Sequence, residues 1–418
     1  MREVAVAPLT LGQLSCLRTL ERMPAGSPDG LNLVRSWDVP PGQTVTSVLN
    51  ALDLLEARHE SLRTIFPDTP SLAVRQVILA PRGVSVEVLE VTDAADADRH
   101  AQELRRRTFS LDSEKPLRGM VFTIGGVPVR AALCWHHIAV DGWAIQRLHR
   151  EFADILAGRT LTDPAVSCRE LAWEEQSDPA VERTARAVEY WTRTVGDVPS
   201  GRAASLGTLR TRWATLRSST MREAARLLAA ECGASLHSVV LAAYCHAIAE
   251  RDDTDSPLVA LISGNRAGTR MKQVVGTVEQ VSPVRVQVDP AESFSALVRR
   301  VHWDTITAYR HGRHNVDVVS REVGSLGYEG SGFGFTYFYN YMPRPARSTV
   351  AAPAHPPTRI TTRDAGRDNG YPVYLVVDDD TELTCDLRDA PPTPGYEPLE
   401  RLLSCIQQVV AAEADGGS

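Results

Sequence analysis

Apolar and polar positions recur along this chain with two periods, interleaved from end to end. In "TSVLNALDLLEARHESLRTIF", Val48, Leu49, Leu52, Leu55 and Leu62 return at helical spacing, and a basic "ARH" lies toward the C-terminal end. The runs "VRQVIL" and "VSVEVLEV" read as strands separated by the turn "APRG". "DAADADRHAQELRRRTF" reads as a helix with an acidic start and a basic end, which suits its dipole. "LRGMVFTIGGVPVRAALCWHH" reads as a hairpin turning at Gly125-Gly126. A helix follows over "GWAIQRLHREFADIL", with Ile145, Leu148, Phe152 and Ile155 on one face. Another covers "DPAVERTARAVEYWTRTV".

The segment "GDVPSGRAASLGT" interrupts this pattern with Gly, Ser and Pro. Helices are then expected over "MREAARLLAAECG", "LHSVVLAAYCHAIAERD", "FSALVRRVHWDTITAYRH" and "YEPLERLLSCIQQVVAA". Strands are expected over "PLVALISG", "PVRVQVD" and "FGFTYFYNYMP", and a hairpin over "YPVYLVVDDDTELTCDLRD". The pattern predicts two mixed α/β lobes: residues 1–194, a linker at 195–208, and residues 209–418. No repeat, heptad or low-complexity tract breaks it.

Composition narrows the class. The 418 residues are 43% hydrophobic and 23% charged, enough for a large core without staples. A net charge of -7 argues against bulk binding to a phosphate backbone, so no nucleic-acid partner is expected. Lys115 and Lys272 are the only lysines. The seven cysteines, Cys16, Cys134, Cys168, Cys232, Cys245, Cys385 and Cys405, never fall at CxxC spacing. They read as reduced thiols of a cytoplasmic protein. Neither a signal peptide nor a membrane span is expected, and the chain is expected to be a monomer.

The candidate chemistry lies in "WHHIAVDGW", Trp135 to Trp143. If Ala131–His137 is a strand, His136 and His137 point to opposite faces and cannot easily chelate one ion. No HExxH or cysteine cluster completes a zinc site, so no metal is expected. One imidazole facing a cavity suits a general base near neutral pH. Asp141 is placed to cap the next helix or pair with an arginine. Gly142 opens that helix, where a backbone N–H favours an oxyanion. No GxSxG elbow supplies a nucleophile. On these residues alone, a catalytic base and two merely satisfied histidines both remain open.

Several stretches together resemble one family. "HHIAVDGW" resembles the HHxxxDG core of nonribosomal peptide synthetase condensation domains, and "ARHESLRTIF" their RHExLRTxF stretch. "PLTLGQ" resembles the opening LTxxQ. "TFSLDSEKPLRGMVF" resembles PFDLxxxPLLR through Phe109, Leu111, Asp112, Pro116, Leu117 and Arg118. "GNRAGTRMKQVVGTVEQVSPVRV" resembles GRxxP…VGxFxNTLPLR, with Gly276, Pro283 and Arg285 in register. "FYNYMP" resembles the late FNYxP strand at Asn340. The matches keep the family's order.

The resemblance implies two chloramphenicol-acetyltransferase-like lobes in a V around a central tunnel, with a latch and a floor loop that the sequence does not place. It implies acyl and peptidyl carrier proteins as partners, delivering substrates on phosphopantetheine arms, with a carrier-bound or small-molecule amine as acceptor and no bound cofactor. It makes His137 the residue that deprotonates or positions the amine, beside His136, with Asp141 paired to Arg266 or Arg63. Substrate contacts are expected from Trp143, Asn340, Gln280 and Ser282, although Gln280 stands where Asn is usual and "VEQVSP" departs from FVNTLP. The rival readings are an O-acyltransferase of the polyketide-associated type, an inactive recruitment domain, and an epimerization domain, which lacks its second acid/base residue here. The chain is expected to be free-standing or one excised domain, and Met1 close before "PLTLGQ" favours a natural start.

Overall fold

A computed structural model describes residues 2–23, 31–67, 75–200, 210–343, 357–367, 372–389 and 398–416. Contacts divide the chain into two compact units. One is Met1–Glu182 with Gly264–Glu279, and the other is Arg183–Ser263 with Gln280–Ser418.

The first unit runs β1 (Glu3–Pro8), α1 (Leu11–Arg22), β2 (Asn32–Asp38), α2 (Val45–Arg58), β3 (Thr64–Ile65), β4 (Arg75–Leu79), β5 (Ser85–Glu90), α3 (Ala94–Arg106), β6 (Leu117–Ile124), β7 (Val127–His136), α4 (Gly142–Leu156) and α5 (Cys168–Glu174). Its four-stranded sheet has the order β2-β7-β6-β5, and β1-β4-β3 form a small second sheet. The hairpin β6–β7 turns at Gly125 and Gly126, with φ of 60° and 79°, a backbone that glycine adopts without strain.

Period-two alternation sorts the β6–β7 side chains onto two faces. Val121, Leu133 and Trp135 pack with Leu52, Leu55, Leu148 and Phe152 of α2 and α4. Met120, Phe122 and Cys134 pack with Leu104 of α3 and with Phe109. Both faces are covered, which is why the β7 sequence is a continuous apolar run rather than an alternating one. His136, the last residue of β7, falls on the Cys134 face by the same alternation.

A long helix, α6 (Asp178–Val195), crosses the division. The second unit continues with β8 (Arg210–Ser218), α7 (Ser219–Cys232), α8 (Leu236–Asp252) and β9 (Leu258–Ser263). After an excursion carrying the short α9 (Gly268–Lys272) come β10 (Gln280–Arg285), α10 (Phe294–Arg310), α11 (Val316–Val323), β11 (Tyr337–Pro343), β12 (Arg359–Arg367), β13 (Val373–Asp379), β14 (Leu383–Asp389) and α12 (Leu399–Gly416). Its seven-stranded sheet has the order β10-β9-β11-β13-β14-β8-β12. Helix α8, apolar on almost every side, is the centre of this core.

Two expectations are corrected here. The division falls at Glu182/Arg183, inside α6, rather than at 195–208, because the amphipathic pattern of α6 continues unbroken across it; residues 201–208 lie outside the described residues. The expected second lobe is also not continuous, since Gly264–Glu279 packs with the first unit. Two glycines permit that packing. A Cβ at Gly12 of α1 would stand 2.4 Å from the Thr277 carbonyl oxygen, and one at Gly276 would stand 2.2 Å from Cys168 Sγ. Val274 and Val278 then close a small core with Val166, Cys168 and Leu171.

None of the seven cysteines is in a disulfide. Among the described residues, no single helix is long and apolar enough to cross a membrane.

Candidate active site

The site is built where β7 ends and α4 begins. His136 is 4% exposed, and its ring meets Phe109 edge to face at 6.2 Å. Its Nδ1 accepts the N–H of Ile138 at 3.2 Å, so this imidazole holds the turn. Burial pulls its pKa down to about 3, helped by the charges of His137 and Arg118. A neutral, enclosed His136 is a structural residue of the loop.

His137 leaves the strand. Its backbone N–H donates to the Leu31 carbonyl at 2.8 Å, and its side chain is about one-fifth exposed. Nδ1 lies 3.1 Å from Thr277 Oγ1, and Nε2 lies 3.0 Å from Glu279 Oε1. Burial lowers its pKa, but the charge and hydrogen bond of Glu279, with Asp141 adding to them, outweigh it and carry the value up to about 9. The two adjacent histidines therefore have opposite protonation preferences.

Asp141 caps α4, its Oδ1 accepting the N–H of Ala144 at 2.9 Å. Both its oxygens also face Nη2 of Arg266, at 2.7 and 2.6 Å, and Oδ2 accepts the N–H of Val278 at 3.2 Å. Arg266 donates further to the carbonyls of Met271, Val274 and Gly276, at 3.1, 2.6 and 2.9 Å. One buried carboxylate thus joins the histidine loop to the segment that carries Thr277 and Glu279. Of the two arginines considered from sequence, Arg266 is the partner. Arg63 is not: its donors are committed to the carbonyls of Glu56, Leu79 and Ala57, at 3.2, 2.7 and 3.3 Å.

Gly142 is the first residue of α4. A Cβ there would meet nothing within 4 Å, so glycine leaves open room at this helix start rather than relieving a clash. Trp143 is half-buried and donates from Nε1 to the Lys272 carbonyl at 3.1 Å, a second tie between α4 and the segment.

The expected contacts from the second unit fare differently. Gln280 is 3% exposed and uses both ends of its amide on the backbone of His314, donating from Nε2 to the carbonyl at 2.7 Å and accepting the N–H at 3.3 Å. Ser282 is fully buried and donates to the Ala308 carbonyl at 2.6 Å. Both are corrected from substrate contacts to internal ties of the second unit, because their polar atoms are enclosed and matched there. Asn340, part-buried on β11, donates to the Tyr374 hydroxyl at 3.0 Å.

Among the described residues, His136 and His137 belong to no group of three His, Cys or carboxylate ligands within mutual reach. Among the described residues, the one trio of His, Cys and carboxylate ligands within mutual reach is His246, Glu250 and Cys405 on α8 and α12.

A family comparison decides what this loop belongs to. Residues 36–325 match the model of the Condensation domain. The chain belongs to the condensation-domain family.

Curated relatives agree with that assignment. N-(5-amino-5-carboxypentanoyl)-L-cysteinyl-D-valine synthase of Amycolatopsis lactamdurans is 27% identical over 296 residues, 68% of this chain and 8% of the relative. The beauvericin nonribosomal cyclodepsipeptide synthetase of Gibberella fujikuroi is 26% identical over 306 residues, 69% of this chain and 9% of the relative. The chain thus spans under a tenth of the length of these relatives. Among solved structures, the condensation domain of the monacolin K polyketide synthase superposes with a TM-score of 0.81 at 16% identity, covering 99% of this chain and 98% of that one. A condensation domain for chain release from the enacyloxin polyketide synthase gives 0.81 at 18%, covering 98% and 82%. At these identities the superpositions establish the mixed α/β fold of condensation domains.

Two residues of this condensation domain's site were not singled out from sequence: Thr277 and Glu279. The signal for Glu279 was present, an acid within the apolar stretch "GTVEQVSPV".

Proposed function

We propose that this condensation domain transfers an acyl group from a carrier-protein thioester to an amine, forming an amide bond in nonribosomal peptide biosynthesis. The observation that carries the reading is the placement of His137. It stands about one-fifth exposed just past the end of β7, on a loop fixed by the buried Asp141–Arg266 pair. In this reading, neutral His137 takes the proton of the attacking nitrogen, while His136 stays neutral and holds the turn. The open start of α4 at Gly142 offers backbone N–H groups to the oxyanion formed on the thioester carbonyl. Aminolysis of a thioester is downhill, so orientation supplies most of the acceleration and one base assists. Asp141 keeps the loop and the segment together and does not enter the chemistry.

Carrier proteins are the proposed partners, with the acyl chain delivered on their phosphopantetheine arm. Arg105, Arg106 and Arg107 at the end of α3 are all exposed and offer a basic patch to an acidic carrier. A hydroxyl acceptor is the second reading. It is favoured by the cyclodepsipeptide synthetase relative, whose product class carries esters as well as amides. The test is a competition between an amine and an alcohol acceptor, incubated with an acyl-loaded carrier protein and read by mass. Amide product supports the first reading, ester product the second, and neither product makes this a recruitment domain.

A further inference from the structure

Both ring nitrogens of His137 are engaged, yet a base needs a free lone pair. Thr277 Oγ1 donates to the carbonyl oxygen of His137 at 2.5 Å, which uses its only proton. Toward Nδ1, 3.1 Å away, the hydroxyl can then only accept, so Nδ1 carries a hydrogen. The other nitrogen, Nε2, faces a carboxylate oxygen at 3.0 Å, an arrangement that is attractive when a proton lies between them. The hydrogen-bond geometry therefore describes an imidazolium paired with Glu279. The upward shift of the His137 pKa to about 9 agrees with it.

The surrounding groups do not change this balance. Asp141 lies on the loop and also favours the charged imidazole, but its carboxylate is held by Arg266. His136 is neutral. Cys16 of α1 faces Glu279, and its thiol is pushed up by burial first and by that carboxylate second, so it stays protonated. Among the described residues, Glu279 has one ion-pair partner, His137. Both side chains remain accessible, 20% and 29% exposed.

Resting on the proposed amide-forming reaction, we propose that Glu279 is the recognition group for an acceptor that arrives as an ammonium ion, which takes the place of His137 at the carboxylate. The exchange replaces one cation by another beside Glu279. As the ammonium enters, His137 releases its proton to solvent and regains a lone pair. Neutral His137 then takes a proton from the ammonium nitrogen. The freed nitrogen pair forms the C–N bond at the thioester carbonyl, the C–S bond breaks, and the leaving thiolate takes the proton back from His137; the second nitrogen proton passes to solvent. A neutral nucleophile carries no charge with which to displace His137, so the same pair that admits an amine discriminates against an alcohol.

The test compares wild type with Glu279→Gln, which keeps the shape and removes the charge. NMR titration of the His137 ring should give a value near 9 in the wild type and one at or below the ordinary 6.5 in the variant. An unchanged titration overturns the inference, whatever the acyl-transfer assay shows. In that assay, near neutral pH, the variant should lose about tenfold or more in kcat/KM for a cationic amine, mainly through KM. Its rate with methoxyamine, a nitrogen nucleophile uncharged at that pH, should rise, because His137 is already neutral. Equal losses with both acceptors indicate a merely structural Glu279 and overturn the inference. No transfer by wild type to any acceptor, with the NMR shift observed, overturns the proposed function and the acceptor role with it while leaving the ion pair established. If Glu279→Gln fails to fold, Glu279→Asp is titrated instead. It keeps the charge at a longer reach and should give a His137 value between 6.5 and about 9; a value unchanged from wild type overturns the inference.

Discussion

Asp141 and Arg266, 125 positions apart, meet with carboxylate-to-guanidinium distances of 2.7 and 2.6 Å, and both side chains are almost fully buried. The same carboxylate caps α4 and accepts a backbone N–H of the returning segment. The pair is thus the joint on which the geometry of His137, Thr277 and Glu279 depends.

Breaking that joint should cost stability first. Removing one member of a buried ion pair leaves an uncompensated charge, so Asp141→Ala should lower the unfolding free energy by about 3–5 kcal/mol. Arg266→Ala should do the same, and the double variant should lose less than the sum. Urea denaturation gives all three values. An unchanged midpoint with abolished activity would move Asp141 into the chemistry.

The fit of the segment should respond to single methyl groups. Gly276→Ala places a Cβ against Cys168 Sγ and should destabilise by about 1–3 kcal/mol. Cys168→Ala removes that sulfur, so the double variant should recover much of the loss. Gly12→Ala meets backbone at Thr277 and Val278 and has no such rescue. Equal midpoints for the single and double variants would contradict this packing.

Stability should fall on mild acidification. Burial holds His136 and His237 near pKa 3 and His314 near 4, all below the ordinary 6.5. Between 6.5 and those values the unfolded chain binds protons that the folded chain does not. Their contribution is therefore complete above 6.5 and declines as pH drops toward 3. His137 runs the other way: its raised value gives stability that is full below 6.5 and lost as pH rises through about 9. Urea midpoints across this range should decline at both ends. A flat acid side would mean that the buried histidines are not held neutral.

Carrier binding should depend on charge. Reversing Arg105, Arg106 and Arg107 together to Glu should weaken association with an acyl carrier protein and flatten its salt dependence, read by surface binding at two ionic strengths. No change in either, with a small-molecule thioester serving as well as the loaded carrier, would place docking elsewhere.

Local pattern carried much of the fold. The sequence readings of α6 and α8 coincide with Asp178–Val195 and Leu236–Asp252, because apolar spacing marks both helices and the Ser235 cap marks the start of α8. β10 was misplaced. The apolar run suggested 283–289, whereas the strand is Gln280–Arg285, since its ends are set by pairing with β9. Val286 and Val288 continue into the core beyond it, with N–H groups donated to the carbonyls of Pro257 and Asp255. In the site, His137, Asp141 and Gly142 were legible as a contiguous motif. Glu279 was marked only as an acid within an apolar stretch, because nothing local links it to a histidine on a distant loop. Gln280 and Ser282 misled for the same reason: a polar residue in a strand does not announce which face it takes.

The proposed role of His137 is acyl transfer from a carrier-bound thioester. Its most direct test is intact-protein mass spectrometry of an acyl-loaded carrier protein incubated with an amine acceptor and either wild type or His137→Ala. Wild type should unload the carrier with matching amide product. The folded variant should be slower by about 10²–10⁴-fold. Equal unloading by both proteins, with His137→Ala shown to be folded, would contradict it.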